Sequence, residues 1–124
     1  ITKMPTLINK PTTIEAAGNK TKIIQEYIGR VNSETSDVSV AYMCSPSGWI
    51  EPAQTPKFDE YTIVLKGSLR VEFDDSSMNV EEGQGVIVYG GEKVRYSTPG
   101  SEGAEYIAVC IPAFSQDTVN RDPE

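Results

Sequence analysis

Few side chains in this chain are equipped for acid, base or nucleophilic work, because it contains no histidine. That removes histidine triads, histidine general bases and histidine-ligated zinc or iron. Cys44 and Cys110 match no metal or redox spacing. No base can be assigned to activate Cys110, so it reads as a core residue rather than a nucleophile. The acidic turn Asp74-Asp75-Ser76-Ser77 lacks the further acids and the glycine of a calcium loop and reads as a hairpin turn. Glu60 is the carboxylate to follow. Strand alternation places Glu60, Thr62 and Val64 on one face and Tyr61, Ile63 and Leu65 on the other. Further along, Val94 and Tyr96 share a face opposite Arg95, which is expected to pair with a surface acid.

The elements that must hold these residues are strands. Runs rich in β-branched and aromatic residues occupy 22–30, 38–44, 61–66, 69–73, 85–89, 94–97 and 106–111. Each ends at turn-forming residues, among them Gly67, Gly90-Gly91, Pro99-Gly100 and Pro112. No long window carries a helical period, and the best helical candidate is a single turn near Ser115. Short strands with turn signals about every ten residues predict an all-β sandwich or barrel. Residues 1–20 read as a polar arm with at most one short strand. In the C-terminal block, Phe114 and Val119 are apolar anchors expected to dock on the barrel or on a neighbouring chain.

Composition narrows the function further. A length of 124 residues fits one domain, here 1–124. Eleven Lys and Arg against eighteen Asp and Glu leave a net charge of −7, which opposes binding nucleic acid through its phosphates. The longest apolar stretch, 106–114, is nine residues and contains Pro112, far short of a membrane span of ~20. Residues 1–5 lack the apolar core of a signal peptide. Two cysteines in a chain of this size suit a reducing compartment, so a cytoplasmic location is expected.

Two blocks of turn glycines carry a resemblance to the cupin family. The first runs from Gly48 to Gly67, with Glu60 on the family's glutamate position and Gln54 and Pro56 on its two histidine positions. The second runs from Gly83 through Gly91 to Thr98, with Tyr89 on the proline position, Val94 on the histidine position and Thr98 on the asparagine position. The resemblance implies a jelly-roll β-barrel (a double-stranded β-helix) with short polar arms. Such proteins usually hold a metal with three histidines and one glutamate. Here only Glu60 remains, so no metal and no cofactor are expected.

By the same resemblance, the Glu60 face lines the barrel interior. The implied pocket has apolar walls, Val64 and Val94, and convergent polar groups, Gln54, Glu60, Thr62 and Tyr96, which is the chemistry of a small-molecule site. Trp49, beside the turn at Gly48, is a candidate rim residue at the barrel mouth, with packing as its competing role. A carboxyl inside a barrel loses water, which raises its pKa toward the range of a general acid or base. Glu60 and Tyr96 are therefore the candidate catalytic pair, for isomerase, cyclase or lyase chemistry. The rival readings are a non-catalytic sensor or accessory domain using the same pocket, and a divergent metalloenzyme using oxygen ligands. The expected partners are a small molecule and, by resemblance, a second copy of the chain, with no nucleic acid and no membrane.

Overall fold

The structure, a computed structural model, describes residues 4–123. The first three residues of the predicted arm and Glu124 lie outside the described residues. Nine strands follow one another: β1 (Thr12–Ile14), β2 (Ile23–Ile28), β3 (Ser39–Ser45), β4 (Trp49–Ile50), β5 (Asp59–Phe73), β6 (Ser76–Glu81), β7 (Gly85–Val88), β8 (Arg95–Thr98) and β9 (Ala104–Ile111). There is no helix among the described residues. The strands form a curled antiparallel jelly roll in the order β1-β2-β3-β9-β5-β8-β4, with β6 and β7 also on β5.

The strand that organises this roll is β5. The sequence predicts two strands here, broken at Gly67, whereas the chain runs through as one strand of 15 residues. Its first half pairs with β7 and β9, and its second half with β6 and β8. The change of sheet takes place at a register shift between Val64 and Lys66. Gly67 follows with φ +77°, a conformation open to glycine, and a Cβ there would collide with the backbone of Gly103 and Ala104. Gly67 is thus a corner and not a strand end. The predicted turn at 74–77 is also shorter than expected, because Ser76 and Ser77 already belong to β6.

Inward side chains of β5 divide the barrel interior. Val64, Leu69 and Val71 join Trp49, Val80, Val94, Tyr96, Ala104 and Tyr106 in a buried core. Phe58, Cys110 and Val119 form a second cluster, with Phe114 packed against it and edge-on to Phe58 at 5.8 Å between ring centroids. Val119 and Phe114 therefore anchor the C-terminal segment on the barrel. That segment runs beside residues 53–57, with Lys57 N donating to Thr118 O (2.9 Å), Thr55 N to Asn120 O (3.0 Å) and Asp122 N to Ala53 O (2.7 Å). The N-terminal arm is also built into the wall. β1 pairs with β2, and beyond it Trp49 Nε1 donates to Ala17 O at 3.1 Å.

Replacing Gly67 by alanine is expected to destabilise the fold by about 1–3 kcal/mol, from the left-handed backbone alone, before the backbone collision is counted. Thermal melts followed by circular dichroism should show Tm falling by several degrees. An unchanged Tm would mean that the corner tolerates a side chain and that this account of β5 is wrong.

Candidate functional site

Between the two clusters lies a cavity with about 60 Å³ open to the centre of a water molecule. Its walls follow strand parity. Residues 39, 41 and 43 of β3, 60 and 62 of β5, and 106, 108 and 110 of β9 all point into it. Register fixes who faces whom: Glu60 pairs with Cys110, and Thr62 with Ala108. Tyr96 enters from β8, and Gln54 from the loop after β4. Gln54 is fixed there because its backbone exchanges two hydrogen bonds with Val94, at 2.8 and 2.9 Å.

Gln54, Glu60, Thr62 and Tyr96 thus meet around one cavity. Three other residues expected at the pocket do not line it. Val64 lies one inward step beyond Thr62, where the barrel is already filled, and is fully buried in the core. Val94 is buried in the same core, its backbone bridged to Gln54. Trp49 is not at a rim: it is 1% exposed, and its indole is held by the arm.

Glu60 and Tyr96 touch. The Tyr96 hydroxyl donates to Glu60 Oε1 at 3.3 Å, both groups buried. Desolvation pushes the Glu60 carboxyl above the ordinary carboxylate range, opposed by the positive charge of Lys22 and by the Tyr96 hydrogen bond. Burial, with the nearby Glu60 charge second, also raises Tyr96, so the phenol stays protonated. The Cys110 thiol is pushed up by burial and then by Glu60, which leaves it inert as a nucleophile. Arg95, on the opposite face from Val94, pairs with Glu72 at 2.9 Å as expected.

Sequence reasoning missed four charged residues at the cavity: Lys22, Glu26, Glu51 and Arg121. Glu26 is buried, and its Oε2 accepts from the backbone N–H groups of Val31 and Asn32. Glu51 lies in the loop after β4, is 7% exposed, and its Oε2 is buried without a hydrogen-bond partner. Burial raises its pKa from 4.5 to about 7, with Lys22 opposing and Glu60 adding to the rise. The Lys22 ammonium sits 4.1 Å from the Trp49 ring centroid and 5.2 Å from that of Tyr106. Arg121 comes from the C-terminal segment, and its Nε is buried without a partner. The two ion pairs among the described residues are Lys93–Asp122 and Arg95–Glu72. Neither cavity cation, therefore, makes a contact ion pair with Glu51 or Glu60.

This donor set does not suit a transition metal. The chain offers no imidazole, and no three His, Cys, Asp or Glu side chains converge to hold an ion among the described residues.

Glu51 gives the folded state a measurable pH dependence. A carboxyl whose pKa is raised by folding contributes stability that is present below its unfolded value and is lost as pH rises through the folded one. For Glu51 that window runs from 4.5 to about 7. Over it, the wild type should lose about 3 kcal/mol relative to Glu51→Gln. Denaturant melts of both proteins between pH 5 and pH 8 would measure the difference. A gap that does not change with pH would show that the Glu51 carboxyl is not desolvated as described.

No family model matches the chain. A protein of Myxococcus xanthus named endoribonuclease YbeY is 37% identical over 101 residues, 82% of this chain and 34% of that protein. The chain thus spans about a third of the length of the curated relative it matches. Among solved structures, ethanolamine utilization protein Q of Salmonella typhimurium overlays with a TM-score of 0.67 at 16% identity, covering 85% of this chain and 98% of that one. Oxalate decarboxylase of Bacillus subtilis gives 0.73 at 20% identity over 95% of this chain and 33% of its own. A polyketide cyclase of Streptomyces resistomycificus gives 0.69 at 13% identity over 98% and 83%. With its roll of antiparallel strands, its shared corner strand and these overlays, the chain has the fold of the cupin superfamily.

Proposed function

We propose that this protein binds a small organic molecule inside its barrel and moves a proton on it, with Glu60 as the acid/base and Tyr96 as its partner. The observation that carries the reading is the Tyr96–Glu60 hydrogen bond at 3.3 Å on the wall of the barrel cavity. Burial holds the Glu60 carboxyl above its ordinary range, which makes it a stronger base than an exposed carboxylate. When Glu60 takes a proton from a carbon beside a carbonyl, it becomes a weaker acceptor. The Tyr96 hydroxyl is then free to turn to the oxyanion that forms on the same substrate. Gln54 lies on the same wall and offers an amide to orient that carbonyl. The products this serves are those of an isomerase, cyclase or lyase.

The donor set argues for chemistry without a metal, and the sparse cysteines for a cytoplasmic setting. No helix of the described residues is long and apolar enough to cross a membrane. Endoribonuclease activity is not carried over from the Myxococcus xanthus protein, since the match spans a third of it and a net charge of −7 opposes polyphosphate binding.

The test combines a fragment screen by ¹⁵N NMR with one substitution. Small carbonyl compounds should perturb the amides of Thr62, Tyr96 and Ala108, and the wild type should speed deuterium exchange at the carbon beside the carbonyl. Glu60→Gln should remove about two orders of magnitude of that exchange while changing fragment affinity by less than about tenfold. Binding with no accelerated exchange in the wild type would assign the chain to the ligand-sensing class instead. Fragments that bind only outside the cavity would sink both readings.

A homodimer is also proposed, supported by the outer face of the β7-β5-β9 layer. Ile87 and Tyr61 face each other across strands, as do Ile63 and Ile107. Ile63 is 57% exposed and Ile87 49% exposed on the side away from the cavity. An apolar face of this kind is covered in most soluble proteins. Light scattering should give twice the chain mass for the wild type and the single-chain mass for an Ile63→Lys, Ile87→Lys double variant. A monomeric wild type would overturn the dimer.

A further inference from the structure

Arg121 and Lys22 reach the cavity from opposite ends of the chain, and no role in the proton transfer falls to either. The Arg121 backbone bridges Gln54, and the residues on each side of it hydrogen-bond to Thr55 and Ala53, so the guanidinium is held at the cavity wall. One of its amino groups donates to Gln116 Oε1 at 3.2 Å, whereas Nε, buried at the cavity, has no partner. A buried guanidinium N–H without an acceptor is a costly arrangement. The Lys22 ammonium, stacked over Trp49, also lacks a contact carboxylate.

From this we infer that the barrel's ligand is a small organic carboxylate, its anionic end taken by Arg121 and Lys22. The inference rests on the small-molecule reading above and names the class of molecule. A planar carboxylate matches the fork of N–H groups on a guanidinium, one of which is free and buried here. A phosphate dianion would bring a second negative charge into a cavity faced by three carboxyls and by the apolar Ile14, Ile24 and Met43. The cavity acids do not forbid an anion: Glu26 is turned to the backbone N–H groups of Val31 and Asn32, and neither cation is held in a contact ion pair by Glu26, Glu51 or Glu60.

The experiment compares benzoate with benzamide, which has nearly the same shape and no charge, by ¹⁵N NMR titration of the full chain. The wild type should bind benzoate at least about tenfold more tightly than benzamide, the step expected of one charge-assisted contact. Arg121→Gln should remove that preference and leave benzamide affinity unchanged within about threefold. Lys22→Gln, in a different part of the chain, provides a second variant should the first fail to fold, and should weaken benzoate in the same direction. Equal binding of both probes at the cavity, or a benzoate preference that survives both substitutions, would overturn the carboxylate assignment while leaving small-molecule binding intact. Failure of both probes to perturb any cavity amide would overturn the carboxylate assignment and the small-molecule reading together.

Discussion

Charge buried without contact pairing governs the interior of this barrel. Three carboxyls, Glu26, Glu51 and Glu60, and two cations, Lys22 and Arg121, face one cavity, yet none of the five is in a contact ion pair with another. Taking a carboxylate out of water is expensive, and a cation beyond contact distance offsets only part of the cost. The remainder appears as the raised pKa values of Glu51 and Glu60, with Lys22 the main opposing influence on each. A barrel assembled only for stability would have closed these pairs or replaced them with apolar side chains. Holding them apart leaves polar atoms available to something that enters.

Separation of the charges depends on both chain ends. The core fills the barrel beyond Thr62, and the Phe58–Phe114–Val119 cluster packs around the opposite end. The arm carrying Ile14 and Ala17 closes one side of the cavity, and the segment carrying Arg121 closes another. Each is tied down by backbone hydrogen bonds, the arm through β1 and Asn19, the C-terminal segment through residues 53–57. Few apolar contacts hold the arm compared with β5, so it belongs to the less stable part of the fold.

Legibility in the sequence followed the range of the interactions. Strands β3, β9 and the first half of β5 alternate between an inward face and an outward one, and that period of two is a local property. The inward set on β5 was readable for the same reason. β6 was not, because five of its six residues are exposed and only Val80 is buried. β4, two residues long, has no period to read. Lys22, Glu51 and Arg121 reach the cavity through tertiary placement of an arm, a loop and a terminal segment, and nothing in their neighbours marks them. Trp49 beside a turn glycine resembled a rim residue. What buries it is an arm residue more than thirty positions away, Ala17, which accepts its indole N–H.

The corner where the cupin resemblance places histidines explains why the positive charge comes from elsewhere. Those positions hold Gln54, Pro56 and Val94, all buried. Val94 extends the core, Pro56 N-terminal to Phe58 is packed in place, and the Gln54 backbone ties the corner to β8 and to Arg121 at once. These residues give the corner packing and hydrogen bonding but no cation. Glu60 keeps its inward position on β5, fixed by strand register, and the side-chain cations that act on it, Lys22 and Arg121, stand at the cavity without touching it. A side-chain cation at a distance balances a carboxylate less completely than one in contact would. The carboxyl is therefore left more basic than an exposed one, which is the property the proposed chemistry uses.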